Sequence, residues 1–362
     1  MWSVASAVVQ ATRSLVDERL IDEYAHLSAA EYGPDAAVSR VDHLRWKYLG
    51  CPAGAPSADT IRSGDEAIAR IVYEPRQLCS KHGARRALNP IDLLVHPRER
   101  SPRLFLDLMR GLREHDDADL IYFVPNDVSA PLYEKVLKFV EVGRLRLTGL
   151  PLRPERVLAE RIPRFTRPVF HVAGIVWRLL VHARNAIRRI PMGVHVGADP
   201  PGDADLDRIG AALCVDDAWV GLRDHAFHHW RFRDGPVFTY RVRYAYRRGT
   251  LAGYVASRVV DFEGLRACIV IDCVSVGKRR RRVAARLLAD VVSHGRRERV
   301  DLVAALSFGR TMLTRSLRQA PLLTVPRRFW PQQMPLHAEW VGAARSSGAP
   351  DLSLTLADMD VF

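Results

Sequence analysis

The feature that most constrains this chain is that its landmarks occur twice, about 180 residues apart. Trp46 has a counterpart in Trp230, Asp92 in Asp272, Arg100 in Arg279, Phe105 in Ala284 and Asp119 in Asp301. Solenoid repeats run to roughly 50 residues at most, whereas this period matches one ordinary domain. The 362 residues are therefore expected to form two similar domains.

The second copy is the clearer. Three runs rich in β-branched and aromatic residues (237–246, 251–260 and 266–276) are separated by turns at Gly249 and Gly264, which predicts an antiparallel meander. After Gly277, Val283, Ala284, Leu287, Leu288 and Val291 recur at helical spacing, and 301–306 reads as a short buried strand. The first copy repeats this order more faintly, with strands over 67–73 and 90–95, a helix over 104–112 and a buried strand over 120–124 ended by Pro125. The expected division is 1–150 for the N-terminal domain, 151–205 for a linker, 206–340 for the C-terminal domain and 341–362 for a tail. Within the linker, Val169, Val172, Ala173, Val176, Leu180, Ala183, Ile187 and Ile190 share one helical face, with His171, Arg178, His182 and Arg189 opposite. Such a helix either packs on one of the domains or lies on an anionic membrane surface.

Charge and cysteine usage narrow the classes. With 54 Lys+Arg against 41 Asp+Glu the net charge is +13, and nearly all of the positive charge is arginine. The densest run, 277–282 (Gly-Lys-Arg-Arg-Arg-Arg), stands at the turn before a helix without interleaved aromatics. A bound phosphate or a solvated turn accounts for it, and no DNA partner is expected. Five cysteines without a C-x-x-C predict neither a disulfide framework nor a structural zinc site, and His225, His228 and His229 with Asp224 do not complete a metal site. The N-terminus lacks the pattern of a signal peptide, and no run reaches the ~20 apolar residues of a membrane span. The expected compartment is the cytoplasm; peripheral contact at the inner face of the membrane goes only with the second of the two readings of the linker helix. Hydrolase and NTPase signatures, G-x-S-x-G and the P-loop, do not occur.

At the strand, loop and helix of each copy the sequence resembles the GNAT superfamily of acyl-CoA acyltransferases, and more narrowly its tandem-domain members of bacterial surface-polysaccharide pathways. In the first copy the resemblance rests on 44–48 (Leu-Arg-Trp-Lys-Tyr) with 51–54 (Cys-Pro-Ala-Gly), 92–100 (Asp-Leu-Leu-Val-His-Pro-Arg-Glu-Arg), Pro125 with Asn126, and 132–135 (Leu-Tyr-Glu-Lys). In the second it rests on 229–232 (His-Trp-Arg-Phe), the strand ending in Asp272 and the basic run after Gly277. The resemblance implies an α/β (α+β) fold of two tandem GNAT-like domains, each a mixed twisted β-sheet flanked by helices. It implies acetyl-CoA or another acyl-CoA as co-substrate, no metal, and an amino sugar or other cell-envelope precursor as acceptor.

In that family the pantetheine arm lies beside a splayed strand, here ending at Leu94 and Val95. The pyrophosphate lies over the next turn at a helix N-terminus, here Arg100, Ser101, Arg103 and Leu104. The family favours small residues in that turn; Arg103 and Arg282 replace the first glycine, and Phe105 replaces the second small residue where the other copy keeps Ala284. Family members place a Tyr seven residues after an Asn to protonate the departing thiolate, which matches Asn126 and Tyr133. Thr314 stands at that place in the second copy and cannot replace a phenol as an acid. Asp92 is the implied base, with His96 as a weaker candidate. Two other readings are a degenerate GNAT-like scaffold at the membrane surface and an aminoacyl-tRNA-dependent transferase of the peptidoglycan type.

Overall fold

The computed structural model describes residues 11–127, 129–158, 167–190, 193–317, 322–330, 332–345 and 348–359. The first copy contains β1 (Thr12–Leu15), α1 (Glu18–Tyr32), α2 (Val41–Leu49), β2 (Ser57–Ser63), β3 (Glu66–Ser80), β4 (Gly83–Val95), α3 (Pro102–Arg110), β5 (Leu120–Phe123), α4 (Ala130–Lys135), β6 (Glu141–Arg144) and β7 (Arg146–Pro151). A short α5 (Pro154–Val157) and the long α6 (Arg167–Arg188) connect it to the second. That copy contains β8 (His195–Gly197), α7 (Asp203–Leu213), β9 (Trp219–Gly221), α8 (His225–Phe232), β10 (Arg241–Arg247), β11 (Thr250–Phe262), β12 (Leu265–Ser275), α9 (Arg280–Arg297), β13 (Leu302–Phe308), α10 (Met312–Leu317), β14 (Leu323–Thr324), β15 (Pro335–Trp340) and β16 (Leu352–Thr355). The order is the same twice, with β9 and β16 as additions of the second copy.

The expected meander is β10, β11 and β12. Its turns have positive φ at both central residues, Arg248 and Gly249 in one and Glu263 and Gly264 in the other, the backbone hand that fits two-residue hairpins. The chain then crosses over through α9 to place β13 parallel to β12. The apolar positions 283, 284, 287, 288 and 291 face the sheet and are buried, as their spacing requires.

Neither copy closes its own sheet. β15, from the second copy, inserts between β5 and β6 of the first, antiparallel to both. Reciprocally, β7 of the first inserts between β13 and β14 of the second. β9 and β16 then join the halves through β3 and β13, so that the described residues form one 16-stranded sheet. Divisions of the chain at 150 and 206 therefore do not divide the sheet.

The two tryptophans picked out by the repeat meet each other. Trp46 on α2 and Trp230 on α8 stack with ring centroids 5.6 Å apart, and each indole donates to the other's backbone carbonyl, at 2.9 and 3.1 Å. The reciprocity places the local two-fold relation of the copies at this pair.

Two expectations are corrected. The supposed tail, 341–362, carries β16 and a 3-10 turn over Leu356–Asp358, and residues 352–359 are buried, because they bridge the two half-sheets. Cys79 on β3 and Cys214 at the end of α7 form a disulfide, which cysteine spacing could not reveal since the partners come from different copies. Cys51, Cys268 and Cys273 are free and buried.

If the tryptophan pair anchors the junction, Trp46→Ala and Trp230→Ala will each lower stability by about 3 kcal/mol in urea unfolding, and the double variant will lose clearly less than the sum.

Candidate functional site

The candidate site follows from how β4 and β5 separate. They pair in parallel only at Ala87 with Leu120 and Leu88 with Ile121, although β4 continues to Val95. A β-bulge at Asp92, whose φ is +49°, interrupts the pairing with β3 and bends β4 away. From residue 89 onward, no strand among the described residues pairs with the β5 side of β4. This is the splay expected to end at Leu94 and Val95, which pair with Arg70 and Ala69 on the other side.

Asp92 turns toward the α1 and α2 face. Its carboxylate accepts from Lys47 Nζ at 2.7 Å and from the Tyr48 hydroxyl. Burial opposes its charge, but Lys47 and Arg70 outweigh burial and hold its pKa at about 2. The ion pair favours the charged form of Asp92 and commits its carboxylate to Lys47 and Tyr48. Tyr133 lies on the opposite face, packed by Phe123, Phe105, Phe139 and His337 with ring centroids 4.5 to 6.5 Å away. Burial raises the pKa of its phenol. Asp92 and Tyr133 thus lie on opposite faces of the sheet, and no contact joins them among the described residues.

The remaining residues cluster at the turns bordering this gap. The Asn126 side-chain oxygen accepts from Ser129 N–H at 2.8 Å and so shapes the entry to α4. Ser101 caps α3, accepting from Leu104 N–H at 3.2 Å. Since Pro102 has no N–H, the Arg103 N–H is the donor left over in that first turn. Arg103 is exposed and pairs loosely with Asp107, while Arg100 pairs with Glu31. Arg103 thus leaves the groove open, whereas Phe105 packs inward on Tyr133.

The equivalent gap in the second copy is filled. β12 pairs with β13 only as far as Val270 and Ala305, and beyond them β16 pairs with β13 at Ser307 and Phe308. Since β7 occupies the other side of Ser307, β16 lies in the splay itself. Two residues make room for it. A Cβ on Gly309 would come within 2.3 Å of the Leu352 carbonyl oxygen, and buried Thr314 accepts from Ser353 Oγ at 3.3 Å. Asp272, the counterpart of Asp92, is engaged by Arg223 Nε at 2.7 Å; Arg223 also grips Asp358 through two hydrogen bonds of 2.7 Å.

Beside this sealed gap is a cavity of about 1050 Å³ lined by Arg144, Arg146, Arg280, Arg310, Arg315 and Arg327 together with Asp216, Asp217 and Asp351. It was not legible in the sequence because β6 and β7 of the first copy form one wall and α9 and α10 of the second the other. The histidine cluster is not a metal centre: His225 pairs with Asp207, His229 with Asp203, and His228 is buried with its pKa lowered to about 3 by burial. No group suited to a metal ion occurs among the described residues.

No protein-family model matches the chain, and no curated protein aligns with it. Solved structures do. A GCN5-related N-acetyltransferase from Anabaena variabilis superposes with a TM-score of 0.61 at 10% identity over 94% of this chain and 75% of its own. The chain shares the GNAT fold. A tandem GNAT protein from the clavulanic acid biosynthesis pathway superposes at 0.50 and 15% identity, over 92% of this chain and 99% of its own. Saccharomyces cerevisiae N-myristoyltransferase, solved with myristoyl-CoA, matches at 0.55 and 12% identity, over 91% of this chain and 78% of its own. The fold observed is the one the resemblance implies, and it occurs twice, as the repeat predicts.

Two outcomes follow for stability. Asp92 stabilises the fold fully above about pH 5 and loses about 2 kcal/mol as the pH falls through 4 toward 2, so Asp92→Asn will flatten the acid limb of a pH titration of unfolding free energy. Thr314→Tyr, which sets the first copy's residue against β16, will destabilise by about 2 kcal/mol in thermal or urea unfolding.

Proposed function

We propose that the chain is an acyl-CoA-dependent N- or O-acyltransferase, acetyl being the simplest acyl group, and that its first half alone binds the co-substrate. The observation carrying this reading is the contrast between two equivalent gaps, one open along residues 89–95 of β4 and one filled by β16. An extended pantetheine arm can add to β4 as another strand would, through backbone groups that have no strand partner there. The Arg103 N–H, the α3 dipole and the Arg103 guanidinium then face the pyrophosphate.

Attack by the acceptor's amine or hydroxyl forms a bond to the thioester carbon, with backbone N–H groups near Val95 opposite the oxyanion. As the C–S bond breaks, Tyr133 donates its proton to the departing sulfur, and the acceptor's proton passes to solvent. Burial keeps the phenol protonated at neutral pH and at the same time makes it a weaker acid, so its proton moves only as the breaking C–S bond makes the sulfur strongly basic. Asp92 anchors Lys47 and Tyr48 beside the gap rather than moving a proton. The acceptor in this reading is an amino-sugar or other cell-envelope precursor that meets the thioester at the open gap; the cavity beside the sealed gap, lined by arginines together with Asp216, Asp217 and Asp351, is not assigned to it.

Calorimetric titration with acetyl-CoA will give one site per chain, and Arg103→Glu will weaken it. With a competent acceptor, Tyr133→Phe will lower kcat by about 100-fold with little change in KM. Absence of binding at high micromolar acetyl-CoA would overturn the reading in favour of a scaffold that no longer uses the cofactor.

A further inference from the structure

The linker helix α6 packs in the opposite sense to an ordinary amphipathic helix. Its inward side mixes Trp177 and Val181, which pack on the core around α9, with polar contacts: Trp177 Nε1 donates to the Pro151 carbonyl, Arg178 pairs with Glu155, and buried Asn185 donates to the Ala289 carbonyl and Ser293 Oγ on α9. Its apolar side faces outward. Val172, Leu179, Leu180 and Ile187 are 62 to 64% exposed, and Ile175, Val176 and Ile190 complete the same face. A helix that offers its hydrocarbon to the outside and its polar edge to the protein is unsatisfied in water.

The charge around this face is of one sign. Residues 171–190 contain no Asp or Glu. Arg184 borders the apolar face on one edge and Arg189 on the other. At the Arg189 edge, His182, Arg189, Arg296 and Arg297 surround a recess of about 350 Å³ between α6 and α9, floored by Asn185 and Ser293. Arg184, Arg188, Arg189, Arg296 and Arg297 have no carboxylate within ion-pair distance among the described residues.

We propose that α6 docks flat on an anionic phospholipid bilayer, its apolar face entering the acyl-chain boundary and the recess seating a lipid phosphate. No helix among the described residues is long and apolar enough to cross a membrane, so the mode is lying on the surface. The flanking arginines select negatively charged head groups. The proposal stands apart from the acyl-transfer reading and is tested without any acyl donor.

The test is co-sedimentation of the full chain with phosphatidylcholine vesicles and with vesicles in which phosphatidylglycerol makes up a third of the lipid. Wild type is expected to pellet with the anionic vesicles, less so at high salt, and to stay in solution with the neutral ones. Leu179→Ser/Leu180→Ser, at exposed positions where the fold is indifferent, and Arg189→Glu/Arg297→Glu should each weaken anionic-vesicle binding about tenfold or more. Circular dichroism and urea unfolding of both variants confirm that they remain folded. Wild type that ignores anionic vesicles, because the face pairs with a second copy or is covered by the chain itself, overturns the proposal. So does equal binding to neutral vesicles, or serine variants that bind like wild type.

Discussion

Everything in this molecule depends on the reciprocal exchange of β7 and β15. A sheet edge left without a partner exposes a row of backbone donors and acceptors, and β5 and β13 would each present such an edge if neither β7 nor β15 paired with it. The exchange satisfies both edges with one device and makes the halves mutually necessary, since the β5 to β6 region is completed by residues 335–340 and the β13 to β14 region by residues 146–151. The stacked Trp46 and Trp230 fix the halves at a second point. A duplication that began as two equal domains thus becomes one cooperative body, further tied by Cys79 and Cys214.

Within that body the copies have diverged at their equivalent gaps. In the second, the buried Arg223 is held between Asp272 and Asp358, with Thr355 and Tyr254 completing the hydrogen bonds. Two carboxylates and one guanidinium out of water are tolerable only because nearly every lone pair is met, and removing any partner would strand a buried charge. The network locks residues 352–359 into the gap, which is why Gly309 and Thr314 there are small. In the first copy Asp92 is also neutralised, by Lys47 and Arg70, but no strand among the described residues enters the gap. The same bulged strand therefore closes one half and opens the other.

The basic charge has likewise acquired places. Part of it lines the cavity between β6 and β7 on one side and α9 and α10 on the other, and part surrounds the outward face of α6. Each lies beside a different kind of surface, one concave and polar, the other apolar and exposed. A net charge of +13 distinguishes neither.

The sequence by itself determined the duplication, the meander with its glycine turns, the amphipathic α9 and the buried strands, because each is written in local spacing of apolar and turn residues; the likeness to GNAT proteins rested instead on short motifs that resemble that family's. It also marked Trp46, Trp230, Asp92 and Tyr133 as notable positions. Tertiary structure alone decided which half received β7 and which β15, since an apolar strand offers the same backbone hydrogen bonds to any open edge. It alone decided that the last residues form β16 rather than a tail, that Cys79 meets Cys214, and that Asp92 spends its charge on Lys47. It also turned the apolar face of α6 outward: periodicity shows that a helix has two faces, but only the packing of Asn185 and Trp177 against the body determines which of them is left to the surroundings.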